Sequence, residues 1–220
     1  MATMPPSSPT GQPASATAWF ASAAGRALLH SEQATVERAL GERPAQPWLL
    51  LSPQPLSEPG AGRSLALAAC EGGWRGAIRC ALPLPLPSET FATVVLQHVG
   101  VAGASGEGLF EECARILVPG GRLWLFALNP LAPYRWRWRG QGLRASEPLA
   151  WRRRLRAVGL QPDPVSEGLG PTWSVGVDGR LQSGPGLRSA YLLRAEKRSL
   201  PLTPLRQRAP LRVTQEAATG

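Results

Sequence analysis

The stretch from Glu111 to Pro130, EECARILVPGGRLWLFALNP, decides how the chain folds. Pro119 cannot continue a helix, and Gly120 and Gly121 accept the backbone angles of a tight reversal. A helix over Gly108 to Leu117 therefore ends here, and Arg122 to Leu128 is nearly all apolar, as in a strand covered by helices on both faces. Upstream, Cys80 to Val95 (CALPLPLPSETFATVV) is a Pro-rich loop feeding a second apolar strand that continues through Thr93 to Gln97.

Outward from this core the same alternation recurs. Ala18 to Leu40 places Phe20, Ala24, Ala27, Leu28, Ala34 and Leu40 at helical spacing, with Gly41 at the C-terminal cap. Trp48 to Ser52 is a short strand. Gln54 to Arg63 holds too much Pro and Gly for a normal helix. Ser64 to Cys70 and Ala77 to Cys80 are the next two strands. Pro148 to Val158 is an amphipathic helix with Leu149, Leu155 and Val158 inward, and Thr172 to Val177 and Ser189 to Arg194 are two closing strands. Such alternation predicts an α/β protein with a mostly parallel sheet and helices on both faces. Residues 1–17 and 199–220, rich in Pro, Ser, Thr and Arg, are expected to be tails around one domain over 18–198.

The 220 residues carry a formal charge of +9, with Lys197 the only Lys and Asp confined to Asp163 and Asp178. That balance admits an anionic partner such as nucleic acid, phospholipid or an acidic metabolite, although an Arg-rich, Lys-poor chain also reflects base composition. Cys70, Cys80 and Cys113 have no CxxC spacing, and with His30 and His98 they form no zinc pattern, so no metal is expected. The N-terminus lacks the charged and apolar regions of a signal peptide, and no run approaches the roughly 18 apolar residues of a membrane span. A cytoplasmic location is expected.

Loop, strand, helix, Pro-Gly-Gly and strand in this order resemble the second half of a class I S-adenosylmethionine-dependent methyltransferase of the type 11 methyltransferase-domain families, over roughly Trp48 to Arg198. A narrower likeness is to an uncharacterised bacterial branch, through Trp19 to Gln33, Asn129-Pro130, Ala190 to Arg198 and Leu202 to Arg206. The resemblance implies a Rossmann-like fold with a seven-stranded, mostly parallel sheet closed by an antiparallel strand, and S-adenosylmethionine as cofactor. In that pattern the loop after the first strand, here Ser52-Pro53-Gln54-Pro55, approaches the methionine end of the cofactor. Glu71, about twenty residues after the first strand, stands where an acid binds the ribose hydroxyls. Cys80-Ala81-Leu82-Pro83-Leu84-Pro85 stands for the pattern Asp-Ala-x-x-Leu-Pro, leaving the Ala81 and Leu82 backbone to face adenine, and Gln97 sits at the pocket mouth.

The polar half is eroded. No glycine follows Ser52 before Gly60, Cys80 replaces an Asp, and Phe91-Ala92 replaces Phe-Asp. A thiol is a weak hydrogen-bonding group, so the cofactor is either held weakly or lost. His98 is the candidate catalytic or substrate contact, because its charge changes near neutral pH; it could instead cap or pack a strand end. Asn129 could touch substrate or satisfy local backbone groups. Tyr134 to Arg139 (YRWRWR) could stack on bases, grip phosphates or sit at a membrane interface; otherwise it is a turn or short helix packing Trp136 or Trp138. Two readings follow, a methyltransferase acting on a small-molecule or lipid-like substrate and a non-catalytic binding module on the same fold; a nucleic-acid partner ranks below both.

Overall fold

The computed structural model describes residues 14–55, 63–99 and 105–198. The two expected tails therefore lie mostly outside the described residues, as do the LTPLR likeness and most of the Pro- and Gly-rich stretch after Ser52.

The first helix is two. Helix α1 covers Ala14–Ala21, starting inside the stretch read as tail, and α2 covers Ala23–Gly41. Ser22 breaks the run, because its hydroxyl accepts the Gly25 N–H at 3.2 Å and so caps α2 instead of continuing α1. Gly25 is required at the corner: a Cβ there would lie 2.4 Å from the Trp19 carbonyl oxygen. The buried face of α2 is Gly25, Leu28, Ser31, Glu32, Thr35, Val36 and Ala39, and Ala34, read as inward, is exposed.

A ten-stranded sheet follows. Its centre is parallel: β2 (Leu65–Cys70), β1 (Trp48–Ser52), β5 (Phe91–Gln97) and β6 (Leu117–Leu128) lie side by side in that order. Beyond β6, the final strand β10 (Ala190–Lys197) runs antiparallel, with Ala190 opposite Leu128 and Glu196 opposite Arg122. Beside β10 stand β7 (Leu160–Pro162) and β8 (Glu167–Leu169), and β9 (Gln182–Ser183) closes that edge. The α/β, methyltransferase-like architecture expected of the sequence is thus present, with more than seven strands.

Three local expectations need correction. The Pro-Gly-Gly segment lies within β6: β5 and β6 pair at Phe91–Leu117 and again from Thr93–Arg122, so Val118 to Gly121 bulge out between. Arg43 donates to the Gly120 carbonyl at 2.8 Å and holds the bulge. After β2 the chain turns at once over Glu71-Gly72 into an unforeseen antiparallel strand β3 (Gly73–Gly76), and the strand read as Ala77 to Cys80 shrinks to β4 (Arg79–Cys80). Gly72, at φ 79°, takes the left-handed angle that this two-residue turn requires. Thr172 to Val177 forms no strand, because the outer side of β10 is already paired with β7 and β8.

Alternation along the central strands divides the core in two. Leu49, Leu51, Leu67, Val94, Leu96, Leu123 and Leu125 face α3 (Ser105–Ile116) and α4 (Pro148–Ala157), where Phe110 and Trp151 meet edge-to-face at 5.5 Å. On α4 the inward residues are Trp151 and Leu155, while Leu149 is half exposed. Leu50, Val95, Trp124 and Phe126 face Val36 and Ala39 of α2. The Pro-rich loop before β5 is held from α3: Arg115 donates to the carbonyls of Leu84 (3.0 Å) and Leu86 (2.8 Å), and Glu112 accepts the Leu84 N–H at 2.8 Å. The Arg115 hydrogen bond keeps the Glu112 carboxyl below its ordinary range.

Cys113, on the inner face of α3, is fully buried, and burial pushes its thiol well above the usual range. Cys70 and Cys80 are only partly buried. A thiol reagent added to the native protein is expected to modify Cys70 and Cys80 and to reach Cys113 only on unfolding. Mass spectrometry of labelled peptides with and without denaturant measures this, and native labelling of Cys113 would contradict the packing of α3.

Candidate functional site

Ligands of open α/β sheets bind at the carboxyl ends of the parallel strands. The residues singled out from the sequence lie at those ends, but in two different settings.

The first setting is accessible. Glu71 and Gly72 form the hairpin tip beyond β2, and Glu71 is exposed. The register then carries the chain back so that Gly73 lies against Cys80 and Ala81: a Cβ on Gly73 would meet the Cys80 carbonyl oxygen at 2.1 Å and the Ala81 Cα at 3.1 Å. The hairpin tip that carries Glu71 and the Cys80–Ala81 backbone therefore lie at the same end of the sheet. Ala81 is exposed, and Leu82 and Cys80 are half buried against the core that contains Trp74. Burial, with Cys70 adding to it, raises the Cys80 thiol above its ordinary value, so the side chain at the position where the resemblance expects an Asp is neutral.

The second setting is enclosed. At the end of β1, Ser52 is buried and its hydroxyl donates to the Gln54 carbonyl at 2.5 Å, while Pro53 is buried beside it. The Gln54 amide reaches the Thr17 carbonyl on α1 at 3.4 Å. At the end of β5, Gln97 and His98 are buried beneath the two N-terminal helices. The Gln97 amide donates to Glu32 Oε2 at 2.8 Å, and His98 Nε2 lies 2.8 Å from Glu32 Oε1, with His98 and Glu32 side chains both at zero exposure. Phe20 of α1 stacks on the His98 ring at 5.1 Å, with 23° between planes. His98 also has φ 50°, where its N–H reaches the Phe126 carbonyl at 3.0 Å, so the strand end turns sharply at this residue.

Asn129, at the end of β6, is buried as well. Its amide donates to the carbonyls of Gly186 (3.0 Å) and Arg188 (2.8 Å), and its Oδ1 accepts the Leu131 N–H at 3.1 Å. The side chain thus fastens the loop before β10. Among the described residues no group of three or more His, Cys, Asp and Glu could hold a metal ion. A cleft of about 870 Å³ lined by Arg38, Trp124, Glu167 and Arg194 opens on the α2 face, apart from these strand ends.

Sequence reasoning missed Glu32. Its signal was positional: Glu32 falls four residues after Leu28 and four before Val36, on the buried stripe of its helix, where a carboxyl group requires a partner.

No family model matches the chain, and no curated protein matches it. Solved structures do. A S-adenosylmethionine-dependent methyltransferase from Thermotoga maritima is 15% identical, aligns over 82% of this chain and 93% of its own, and gives a TM-score of 0.55. A complex between a Haloferax volcanii methyltransferase activator and a proposed methyltransferase gives 14% identity, 83% and 97% coverage, and a TM-score of 0.51. The chain has the class I S-adenosylmethionine-dependent methyltransferase fold.

Two substitutions probe the enclosed setting. Glu32→Ala removes the partner of the Gln97 amide and of His98 Nε2, and is expected to lower unfolding stability by about 3 kcal/mol, with Glu32→Gln costing less. Gly25→Ala forces α1 off the corner of α2 and is expected to cost about 2 kcal/mol or more. Denaturant unfolding measures both; values within about 0.5 kcal/mol of wild type would mean that α1 and α2 do not close the strand ends as described.

Proposed function

We propose that the chain is a S-adenosylmethionine-dependent methyltransferase, allied to the type 11 methyltransferase-domain families and acting in the cytoplasm on a small-molecule acceptor. The observation that carries this reading is the placement of the exposed Glu71 and the Cys80–Ala81 backbone at one carboxyl edge of the sheet, with Gly73 packed between them. An exposed acid beside an exposed backbone segment suits a ribose diol and an adenine edge, so the residues present fit the nucleoside half of the cofactor. In this reading Glu71 accepts the ribose hydroxyls, and Ala81 and Leu82 border the base.

Bound there, the cofactor supplies an electrophilic methyl group on a sulfonium. The protein's part is then proximity and alignment more than proton chemistry. His98 is enclosed by Glu32 and Phe20, so its part is positioning: with Gln97 and Glu32 it holds the end of β5 to α2, and α1 excludes water from that edge. Asn129 serves the acceptor side by fixing the loop before β10.

A second reading has its own support. The Ser52 hydroxyl and the Gln97 amide are engaged within the protein, and the Cys80 thiol is neutral. Each missing polar contact weakens binding by about 0.5–1.5 kcal/mol, so the scaffold would serve as a binding or regulatory module if the cofactor no longer binds.

Calorimetric titration with S-adenosylmethionine and S-adenosylhomocysteine separates the two readings. The methyltransferase reading expects measurable binding that Glu71→Ala weakens about tenfold or more, at unchanged fold by circular dichroism. Absence of heat and of thermal stabilisation at millimolar ligand would leave the non-catalytic module as the function.

A further inference from the structure

We propose that the carboxyl edge of the sheet docks on an anionic lipid surface, through the segment after β6 and the loop between β8 and β10. Ten large apolar side chains are exposed among the described residues, and seven of them lie in these two stretches. Trp136 and Trp173 are 65% and 68% exposed, and Leu131, Val175, Val177 and Leu187 are exposed in the same two stretches. A monomeric soluble protein seldom gathers so much apolar side chain in water without a use for it.

The two stretches are tied together. The Arg137 guanidinium donates to the Trp173 carbonyl at 3.3 Å through both Nε and Nη2. The Asn129 amide grips the Gly186 and Arg188 carbonyls on either side of Leu187, while its Oδ1 takes the Leu131 N–H. Asp178 receives Arg188 and Arg180, and its backbone N–H donates to the Ser31 hydroxyl on α2 at 2.9 Å, which anchors the loop to the helices. The Trp19 indole donates to the Arg137 carbonyl at 2.7 Å. Beneath them Tyr134 and Trp138 are buried, so the 3-10 helix Pro133–Arg137 is a fixed platform from which Trp136 projects.

Charge selects the occupant. Residues 131–144 and 172–188 contain six Arg and one Asp, so the apolar side chains are set in a cationic field. Tryptophans flanked by arginines suit the boundary between acyl chains and headgroups, where indole lies at the glycerol level and guanidinium groups pair with phosphates. Juxtaposed basic side chains add attraction to an anionic leaflet. A single-stranded nucleic acid is the weaker fit. Arg135 and Arg139 stand 6.0 Å and 5.1 Å from the Trp136 ring and compete for the faces on which a base would stack, and Leu131, Val175, Val177 and Leu187 offer a base no platform. Docking in this way does not depend on whether the chain binds S-adenosylmethionine.

The test is flotation of the full chain with vesicles of mixed phosphatidylglycerol and phosphatidylcholine, against pure phosphatidylcholine, at about 150 mM salt. The variants are Trp136→Ala/Trp173→Ala and Arg135→Gln/Arg139→Gln, each checked for fold by circular dichroism. Binding to the anionic vesicles is expected, with a blue shift of tryptophan emission, at least about tenfold weaker partition for the tryptophan pair and a smaller loss for the arginine pair. No vesicle binding overturns the proposal. So does binding that the tryptophan pair leaves unchanged, since the charge of the chain alone would then account for it. Tighter binding of a fluorescent single-stranded oligonucleotide, lost in the same variants, would assign the surface to nucleic acid instead.

Discussion

A single buried carboxyl group organises the carboxyl edge of this sheet at β5. Glu32 accepts the Gln97 amide and contacts His98 Nε2, both at 2.8 Å, with the paired side chains almost wholly removed from water. A buried polar group that lost its partners would cost on the order of 1–3 kcal/mol, so the three side chains are bound to one another's positions. That requirement fixes α2 against β5, and the register of β5 against β1 and β6 follows from the alternating leucines and valines. Phe20 on the His98 ring then sets where α1 lies, and the Ser22 cap and Gly25 make the corner between the helices sharp enough to reach it.

The two flanks of the sheet are built on different principles. On one side the long strands β6 and β10 lie together, the Asn129 amide holds the backbone of the irregular loop before β10, and the Asp178 N–H ties that loop to Ser31 of α2. Toward β4 the strands are short and packed backbone to backbone, so closely that Gly73 admits no side chain. A hairpin makes the connection after β2 and delivers Glu71 and Cys80 to the same edge. Tight backbone packing there leaves little freedom to remodel that edge, whereas the long loop opposite can vary at little cost to the sheet.

The parallel core was legible because continuous apolar runs such as Leu123 to Leu128 tolerate water on neither face. The β3 strand was not, since Gly73-Trp74-Arg75-Gly76 carries no periodicity and pairs only because the Glu71-Gly72 turn brings it back on β2. Thr172 to Val177 shows the opposite failure. Its alternation reads as a strand, but strand formation needs a free edge, and β7 and β8 had already taken the one beside β10. At the site, positions at strand ends could be read from residue order, whereas enclosure could not. Nothing in the residues around His98 announces that a glutamate more than sixty positions earlier would meet it.

Enclosure also bears on how the eroded motif is understood. In a site open to water, replacing an Asp with Cys80 or Ala92 removes a contact to ligand and leaves the fold intact. Here Ala92 is buried against the bulge of β6, and its carbonyl oxygen lies close to Gly121. An acid at Ala92 would have to be buried at this bulge, and burying a carboxylate is costly. Cys80 faces the Trp74 core, where its neutral thiol is at home. Cys80 and Ala92, where the resemblance expects acids, are thus packed into the sheet edge, and in the proposed reading the cofactor is left to meet Glu71 and the backbone of Ala81 and Leu82.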